Sequence, residues 1–172
     1  MIALVAVVAL VAGCGRLGFD ALAPGECDVS TPGCPPDVVP FEIGGRRYVW
    51  LTMPRSAPDA SDACERLGMR LARIDDTAEH DALWARVAPE VAWLAGTDIE
   101  VEGEWRWPDD GTQFWAGLHD GSPIEGVYQN WESGEPNNTG DSEDCLVLWP
   151  PHDGLWADET CSDEYSAVCE AP

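Results

Sequence analysis

The chain of 172 residues contains no lysine: its nine basic residues are all arginines, against 32 aspartates and glutamates, and its formal net charge is −23. Nucleic acids and anionic lipids are themselves negative and would be repelled by such a surface. No nucleic-acid partner is therefore expected, and no electrostatic attachment to membranes. Most of these acids are expected to form a solvated surface.

Motifs for catalysis and for zinc are also missing. The chain has no Gly-x-Ser-x-Gly motif, and its three histidines are scattered, so that no nucleophile and base are evidently paired. It has seven cysteines but no Cys-x2-Cys pair, which argues against a structural zinc site. These absences favour a binding protein over an enzyme.

The longest apolar run is too short to cross a bilayer. Residues 2–12 would span about 17 Å as a helix, whereas a bilayer core is about 30 Å thick. The run leads into Val11-Ala12-Gly13-Cys14, which resembles the cleavage box of bacterial lipoprotein signals. We expect residues 1–14 to be a lipoprotein signal peptide with a lipidated Cys14; an ordinary signal peptide and a buried helix are the alternatives.

This assignment also predicts the location of the protein. By analogy with bacterial sorting, Gly15 rather than aspartate after Cys14 favours a lipid anchor in the outer membrane of a cell envelope; otherwise the protein is secreted. Membrane contact would then be made only through the lipid on Cys14. Residues 15–40 contain five prolines and four glycines, which is typical of a tether. The folded domain is accordingly assigned to residues 41–172.

Local signals within the domain predict helices first and strands later. Gly44-Gly45 lies between two β-prone segments and predicts a hairpin turn. Ser56 and Asp76 each precede an acidic residue by three positions, which is a helix-start signal. After Glu90 the chain consists of short apolar segments broken by Gly, Pro, Asn and Asp. This order predicts an α+β domain.

Oxygen-bearing side chains are concentrated near the end of the chain, in Glu135-Pro136-Asn137-Asn138, Glu143-Asp144-Cys145 and Trp156-Ala157-Asp158. Calcium takes six to eight oxygen ligands from carboxylates, amides and backbone carbonyls. An X–Pro bond is cis at modest cost, and a cis Glu135–Pro136 bond would turn the flanking side chains toward one ion. The alternative is a polar surface loop that binds no metal.

These motifs, in this order, resemble the C-type lectin domain from about Phe41 to Cys169. Trp93-Leu94-Ala95-Gly96 is similar to the core strand of that family, and the Cys161-x7-Cys169 ending also matches. The resemblance implies an α+β C-type lectin-like fold with two helices, short antiparallel sheets and a long calcium-binding loop. Residues 112–129 are longer than the usual loop of the family, so we expect them to form an exposed insertion beside the binding loops.

The resemblance also implies a pairing of the cysteines. With Cys14 lipidated, six cysteines remain, and spacing alone leaves fifteen connectivities open. The family pattern implies the disulfides Cys64–Cys169 and Cys145–Cys161. Cys27 and Cys34 are then left to close a small loop just before the domain.

Two calcium sites follow from the same resemblance. The principal site would use Glu135, Asn137, Glu143 and Asp158, which would also bind the vicinal hydroxyls of a mannose-type sugar. The auxiliary site would use Asp98, Glu102, Asn138 and Asp144. The chain departs from the family at Ala157, where calcium-binding members usually carry asparagine. A side-chain oxygen ligand and a donor to the sugar are thereby absent.

The leading interpretation is a calcium-dependent carbohydrate-binding lectin domain of the mannose type, displayed on a cell envelope. The alternative is a protein-interaction or adhesion module that has the same fold but does not bind sugar. A glycosidase would need two free carboxyl groups about 5–9 Å apart. If Glu135 and Glu143 both bind calcium, neither is free to act as a general acid, so no enzymatic activity is expected.

Overall fold

The computed structural model describes residues 37–172. The predicted hairpin is confirmed: β1 (Val38–Ile43) pairs antiparallel with β2 (Arg46–Arg55) across Gly44-Gly45. Both glycines have positive φ angles, of 58° and 84°, which favour glycine. The strand begins three residues before the boundary placed at residue 41, because Val38 is fully buried against the core.

Two helices begin at the predicted residues. In α1 (Ala57–Arg66), the Ser56 side chain accepts a hydrogen bond from the Asp59 N–H at 3.3 Å. In α2 (Thr77–Val87), Asp76 caps the Glu79 N–H at 2.8 Å. A side-chain cap of this kind satisfies a backbone donor that the helix itself leaves unpaired, which explains why the two starts could be read from sequence.

Among the described residues, ten strands form one sheet around a central run in the order β1-β2-β10-β4-β5-β6-β7. Strand β3 pairs with β10, and the β8–β9 hairpin extends from β4. The short β10–β4 pairing is parallel, unlike the other pairings between these strands. The remaining bounds are β3 (Arg70–Leu71), β4 (Ala92–Thr97), β5 (Glu104–Arg106), β6 (Gln113–Ala116), β7 (Ser122–Pro123), β8 (Cys145–Trp149), β9 (Leu155–Glu159) and β10 (Tyr165–Glu170). The α+β prediction is confirmed.

Aromatic residues fill the core beneath the long loop, residues 130–144, which leads into β8. One hydrophobic cluster is built around Trp105, Trp107, Phe114 and Trp156, and Trp131 of the long loop packs on it. The Trp131 ring meets the Trp156 ring edge to face, with centroids 6.0 Å apart. Such packing stabilises beyond the area it buries. The loop is therefore attached to the core by a tryptophan close to its start.

The expectation of an exposed insertion over residues 112–129 is wrong for its first part. That part contains β6, in which Phe114 is fully buried and Trp115 is 8% exposed. Both are large aromatic side chains whose burial outweighs the polar surroundings. The exposed residues of this segment are found mainly around its tip, between His119 and Gly126.

Both disulfides implied by the resemblance within the described residues are present. Cys64–Cys169 joins α1 to β10, and Cys145–Cys161 closes the β8–β9 hairpin. The cysteines of the first disulfide are 105 positions apart, so this disulfide contributes about 4.7 kcal/mol in the chain-entropy model. Cys14, Cys27 and Cys34 lie outside the described residues, as does the tether up to residue 36. No helix within residues 37–172 has the length and apolarity needed to span a bilayer.

Candidate functional site

The candidate site forms where the long loop meets the β8–β9 hairpin. At the start of this loop, the Trp156 N–H donates to the Asn130 carbonyl at 2.9 Å, and the Glu132 N–H donates to the Trp156 carbonyl at 2.9 Å. The loop ends at Cys145, which lies opposite Glu159 in the hairpin register. Both ends of the loop are therefore fixed to the strand that carries Asp158.

Asp158 organises the predicted principal set. Its side chain is 2% exposed, and its carboxylate accepts the Asn137 N–H at 2.9 Å and the Asn138 N–H at 2.7 Å. The Glu135–Pro136 bond, just before Asn137, is cis, as the sequence suggested. The Asn137 amide in turn donates to Glu135 Oε2 at 2.6 Å. Three of the four predicted residues are thus in direct contact.

Glu143 completes this set from the far end of the loop. Its carboxylate accepts the Thr139 N–H at 2.7 Å, and its own N–H donates to Asn138 Oδ1 at 3.1 Å. The Thr139 hydroxyl also donates to Asn137 Oδ1. Thr139 therefore braces two candidate ligands, a role that the sequence analysis did not assign. The available signal was its position two residues after an asparagine, where hydroxyl–amide turns form.

The predicted auxiliary set lies beside the first. Asp98, which follows β4, is 3% exposed; its Oδ2 accepts the Gly103 N–H at 2.8 Å, and its Oδ1 is buried with no hydrogen-bond partner among the described residues. The Asp144 carbonyl accepts the Thr97 hydroxyl at 2.6 Å, which brings Asp144 next to β4. Glu102 receives a hydrogen bond from the Asn138 side chain.

Burial and, after it, the closeness of other acids raise the pKa values of carboxyl groups in both sets. Burial, followed by contact with Asp158, raises the pKa of Glu135 to about 8. Burial raises the pKa of Asp98 to about 7, against the lowering effect of the Gly103 N–H, and neighbouring acids that include Glu102 and Asp158 raise it further. Burial and neighbouring acids also raise the pKa values of Glu102 and Glu143. Because Asp158 acts on both sets, the two adjoin.

The chemistry of the donors fits calcium rather than zinc. Across residues 37–172, no three His, Cys, Asp or Glu side chains are grouped so that they could hold a metal ion by themselves. Each set instead combines carboxylates with an asparagine amide, the mixture that calcium accepts. A buried oxygen without a partner, such as Asp98 Oδ1, costs about 1–3 kcal/mol. A bound cation at the auxiliary set would remove that cost.

The Ala157 side chain provides no oxygen to the principal set. It is 3% exposed, belongs to the second hydrophobic cluster with Trp93 and Val147, and lies opposite Val147 in the hairpin. Glu159 is two residues further along the same strand, where the Tyr165 hydroxyl donates to it at 3.2 Å. Burial and then Glu143 raise the pKa of Glu159, so this carboxylate lies near the principal set.

Comparison with known proteins agrees with the fold described above. The model of the family described as the lectin C-type domain matches residues 53–171. Hepatic lectin of Gallus gallus is 34% identical over 128 residues, covering 74% of this chain and 56% of its own length. The cow C-type carbohydrate-recognition domain of CD23, solved in the presence of a GlcNAc2Man3 oligosaccharide, is 30% identical with a TM-score of 0.62, covering 80% of this chain and 94% of that one.

The same fold also occurs without calcium. A calcium-independent type II antifreeze protein is 25% identical to this chain with a TM-score of 0.62, covering 80% of this chain and 92% of its own. The matched part of the chain spans little more than half of hepatic lectin, so the similarity concerns this domain alone. On the match to the family model and on the fold, the chain belongs to the C-type lectin domain family, whose members are non-enzymatic binding proteins.

Proposed function

We propose that this domain binds a mannose-type carbohydrate in a calcium-dependent manner. The observation that carries the proposal is the contact of Glu135, Asn137 and Asp158 beside Glu143, in a region where the carboxyl groups repel one another. These four residues would hold Ca²⁺, which supplies coordination positions that vicinal sugar hydroxyls can fill. The carboxylates accept hydrogen bonds from those hydroxyls, and the Asn137 amide donates one.

The auxiliary set has a supporting role in this proposal. Asp98, Glu102, Asn138 and Asp144 would hold a second Ca²⁺ without touching the sugar. Asn138 links the two sets, because its N–H donates to Asp158 while its Oδ1 accepts from Glu143. Fixing Asn138 therefore fixes the segment that presents Asn137, much as second-shell contacts orient metal ligands.

A glycan array, run first in calcium and then in chelator, tests the proposal. We expect binding to mannose-type glycans that chelator removes. Glu135→Gln should weaken sugar binding about tenfold or more, since a hydrogen bond to a charged group contributes about 1.5–3 kcal/mol. Glu65→Gln, which removes the same charge from the exposed surface of α1, is the matched control. A signal that persists in chelator would contradict the proposal.

The second candidate is a protein-interaction or adhesion module that does not bind sugar. The observation in its favour is the burial of Ala157 among apolar side chains, where the site gains neither a ligand nor a donor. The likeness to a calcium-independent antifreeze protein supports the same candidate. Calorimetry distinguishes the two: no calcium binding up to 10 mM, about tenfold beyond the weak end of extracellular modules, would favour this second function.

Display of the domain on a cell envelope is a separate proposal. It rests on the sequence around Cys14, which would carry the lipid, and on the tether that follows. The outer membrane is the expected location. Mass spectrometry of the membrane fraction should find an acylated N-terminal peptide beginning at Cys14. An unmodified Cys14 would contradict the anchor and leave a secreted protein.

A further inference from the structure

A buried histidine lies beside the first residues of the long loop, 130–132, which we call its root. It is away from both candidate calcium sets. His80 of α2 is 4% exposed, and its Nε2 lies 3.1 Å from Nδ2 of Asn130. The Asn130 carbonyl is the group that accepts the Trp156 N–H and ties the start of the loop to β9. The histidine is therefore one contact away from the backbone pairing that positions the loop.

A second contact joins α2 to the other chain segment that reaches the site. A Cβ added to Gly154 would lie 2.5 Å from the Trp84 ring, so this glycine, just before β9, packs directly against the helix. The Asp153 backbone lies near His80, whose Nδ1 is buried without a hydrogen-bond partner among the described residues. Thus α2 supports both the segment that leads into Glu135 and the strand that carries Asp158.

The chemistry of the His80–Asn130 contact fixes the charge of the imidazole. With the Asn130 amide oriented as in this structure, its Nδ2 only donates, so Nε2 of His80 accepts and the ring is neutral. A proton on Nε2 would place two donors 3.1 Å apart in a buried site. Burial lowers the pKa of His80, and the groups that oppose this shift are Asp81 on the same helix and the Asp153 backbone. The Asp76 carbonyl binds only the backbone N–H of His80.

We infer that His80 is a positioning residue that couples the long loop to pH: its neutral ring holds Asn130, and its protonation releases the root of the loop. The consequence for sugar capture rests on the proposed function, but the loosening of the loop does not. Opening exposes the imidazole, whose ordinary pKa is about 6.5. The open state therefore gains stability as pH falls below that value, by at most about tenfold per pH unit for one proton.

Hydrogen exchange of the Trp156 and Glu132 amides, measured in chelator between pH 7.5 and 5.0, tests the inference. His80→Gln is the reference, because a glutamine oxygen can accept from Asn130 without titrating. Dividing the wild-type exchange rate by the variant rate at each pH removes the intrinsic pH dependence and the titration of the loop acids. We expect a ratio near one at pH 7.5 that rises severalfold or more by pH 5.5.

Asn130→Asp supplies an independent second variant, because an aspartate would accept from a protonated His80. Its amides should become better protected as pH falls, which reverses the wild-type trend. A wild-type ratio that stays constant from pH 7.5 to 5.0 would overturn the inference; a rotation of the Asn130 amide that presents Oδ1 to a protonated ring would give that result. An Asn130→Asp protein with the wild-type pH response would overturn it as well. Because all measurements are made in chelator, their outcome is independent of whether calcium or sugar binds.

Discussion

Position 157 separates the two candidate functions at the scale of one residue. The family pattern puts a ligand there, whereas this chain puts a methyl group in a hydrophobic cluster. Sequence comparison could detect the missing oxygen, but not that the site is enclosed by Trp93 and Val147. That enclosure means that any larger polar side chain at 157 must find a partner or be destabilising.

Ala157→Asn should therefore have opposite effects in chelator and in calcium. In chelator, the buried amide is expected to lower the free energy of unfolding by about 1–3 kcal/mol. In calcium, the amide oxygen gains a partner, so calcium affinity should rise and part of the stability should return. Denaturant unfolding and calorimetry measure these two quantities. Ala157→Val adds bulk without an oxygen, so its loss of stability relative to wild type should be the same in chelator and in calcium. Unchanged or weaker calcium affinity in Ala157→Asn would contradict the geometry.

Asp98 provides a second prediction at the scale of one residue, which concerns how stability without calcium depends on pH. Burial raises the pKa of this carboxyl to about 7 in the folded protein, above its ordinary value, so without calcium the folded state binds the extra proton. Its stabilising contribution is complete below about pH 4 and is lost as pH rises through about 7. Asp98→Asn should remove this part of the pH dependence in chelator while weakening calcium binding. Identical unfolding profiles for the two proteins from pH 4 to 8 would contradict it.

Some structural elements have a signal in the local sequence that predicts them, and others have none. Ser56 and Asp76 predict the starts of the two helices, because a helix cap is a contact between near neighbours in sequence. The pairing of Asn130, at the loop root, with Trp156 joins residues that are 26 positions apart, so no local signal in the sequence predicts it. The misplaced insertion has the same cause: the length of residues 112–129 predicted an exposed loop, whereas packing against Trp105 and Trp107 decides the burial of Phe114.

Contact between α2 and the approach to β9 can be tested at Gly154. An alanine there would meet the Trp84 ring at 2.5 Å as well as a φ angle of 77°. Gly111→Ala is the matched control, because its φ angle is 73° and nothing lies within 4 Å of its added Cβ. Overpacking should make the Gly154 variant less stable than the control by about 1–3 kcal/mol in denaturant unfolding. Equal losses of stability in the two variants would show that α2 shifts to accommodate the added Cβ without a loss of stability.

The long loop should also respond to calcium as one element. Several of its backbone groups donate to carboxylates that calcium would engage, which links metal binding to loop order. Limited proteolysis should cut within residues 130–144 in chelator and much more slowly in calcium. Cleavage elsewhere in the domain, normalised to the same digestion, serves as the control. Equal resistance of the loop under both conditions would contradict the linkage.

Charge is distributed unevenly over the whole molecule. Residues 107–172 contain 15 acids and no lysine or arginine, and most of the acids of the two candidate sets belong to this part of the chain. Repulsion of this kind disfavours the compact state, and dissolved ions reduce it by screening. Calcium could therefore stabilise the protein in two different ways, by screening or by binding at particular residues.

Matched ionic strength separates these two effects. For a site with a Kd of about 1 mM, 10 mM calcium should stabilise the folded state by about 1.4 kcal/mol, and two sites by about twice that. A domain of this size should then gain several degrees in Tm. Sodium chloride at the same ionic strength screens equally but cannot fill the sites, so it should produce a much smaller shift. Glu143→Gln should lose the share of the calcium-specific shift that comes from the principal set, since the Glu143 carboxylate belongs to that set and accepts the Thr139 N–H. If calcium and sodium chloride shift Tm equally, screening alone accounts for the effect, and the carboxylates are a solvated surface rather than ligands.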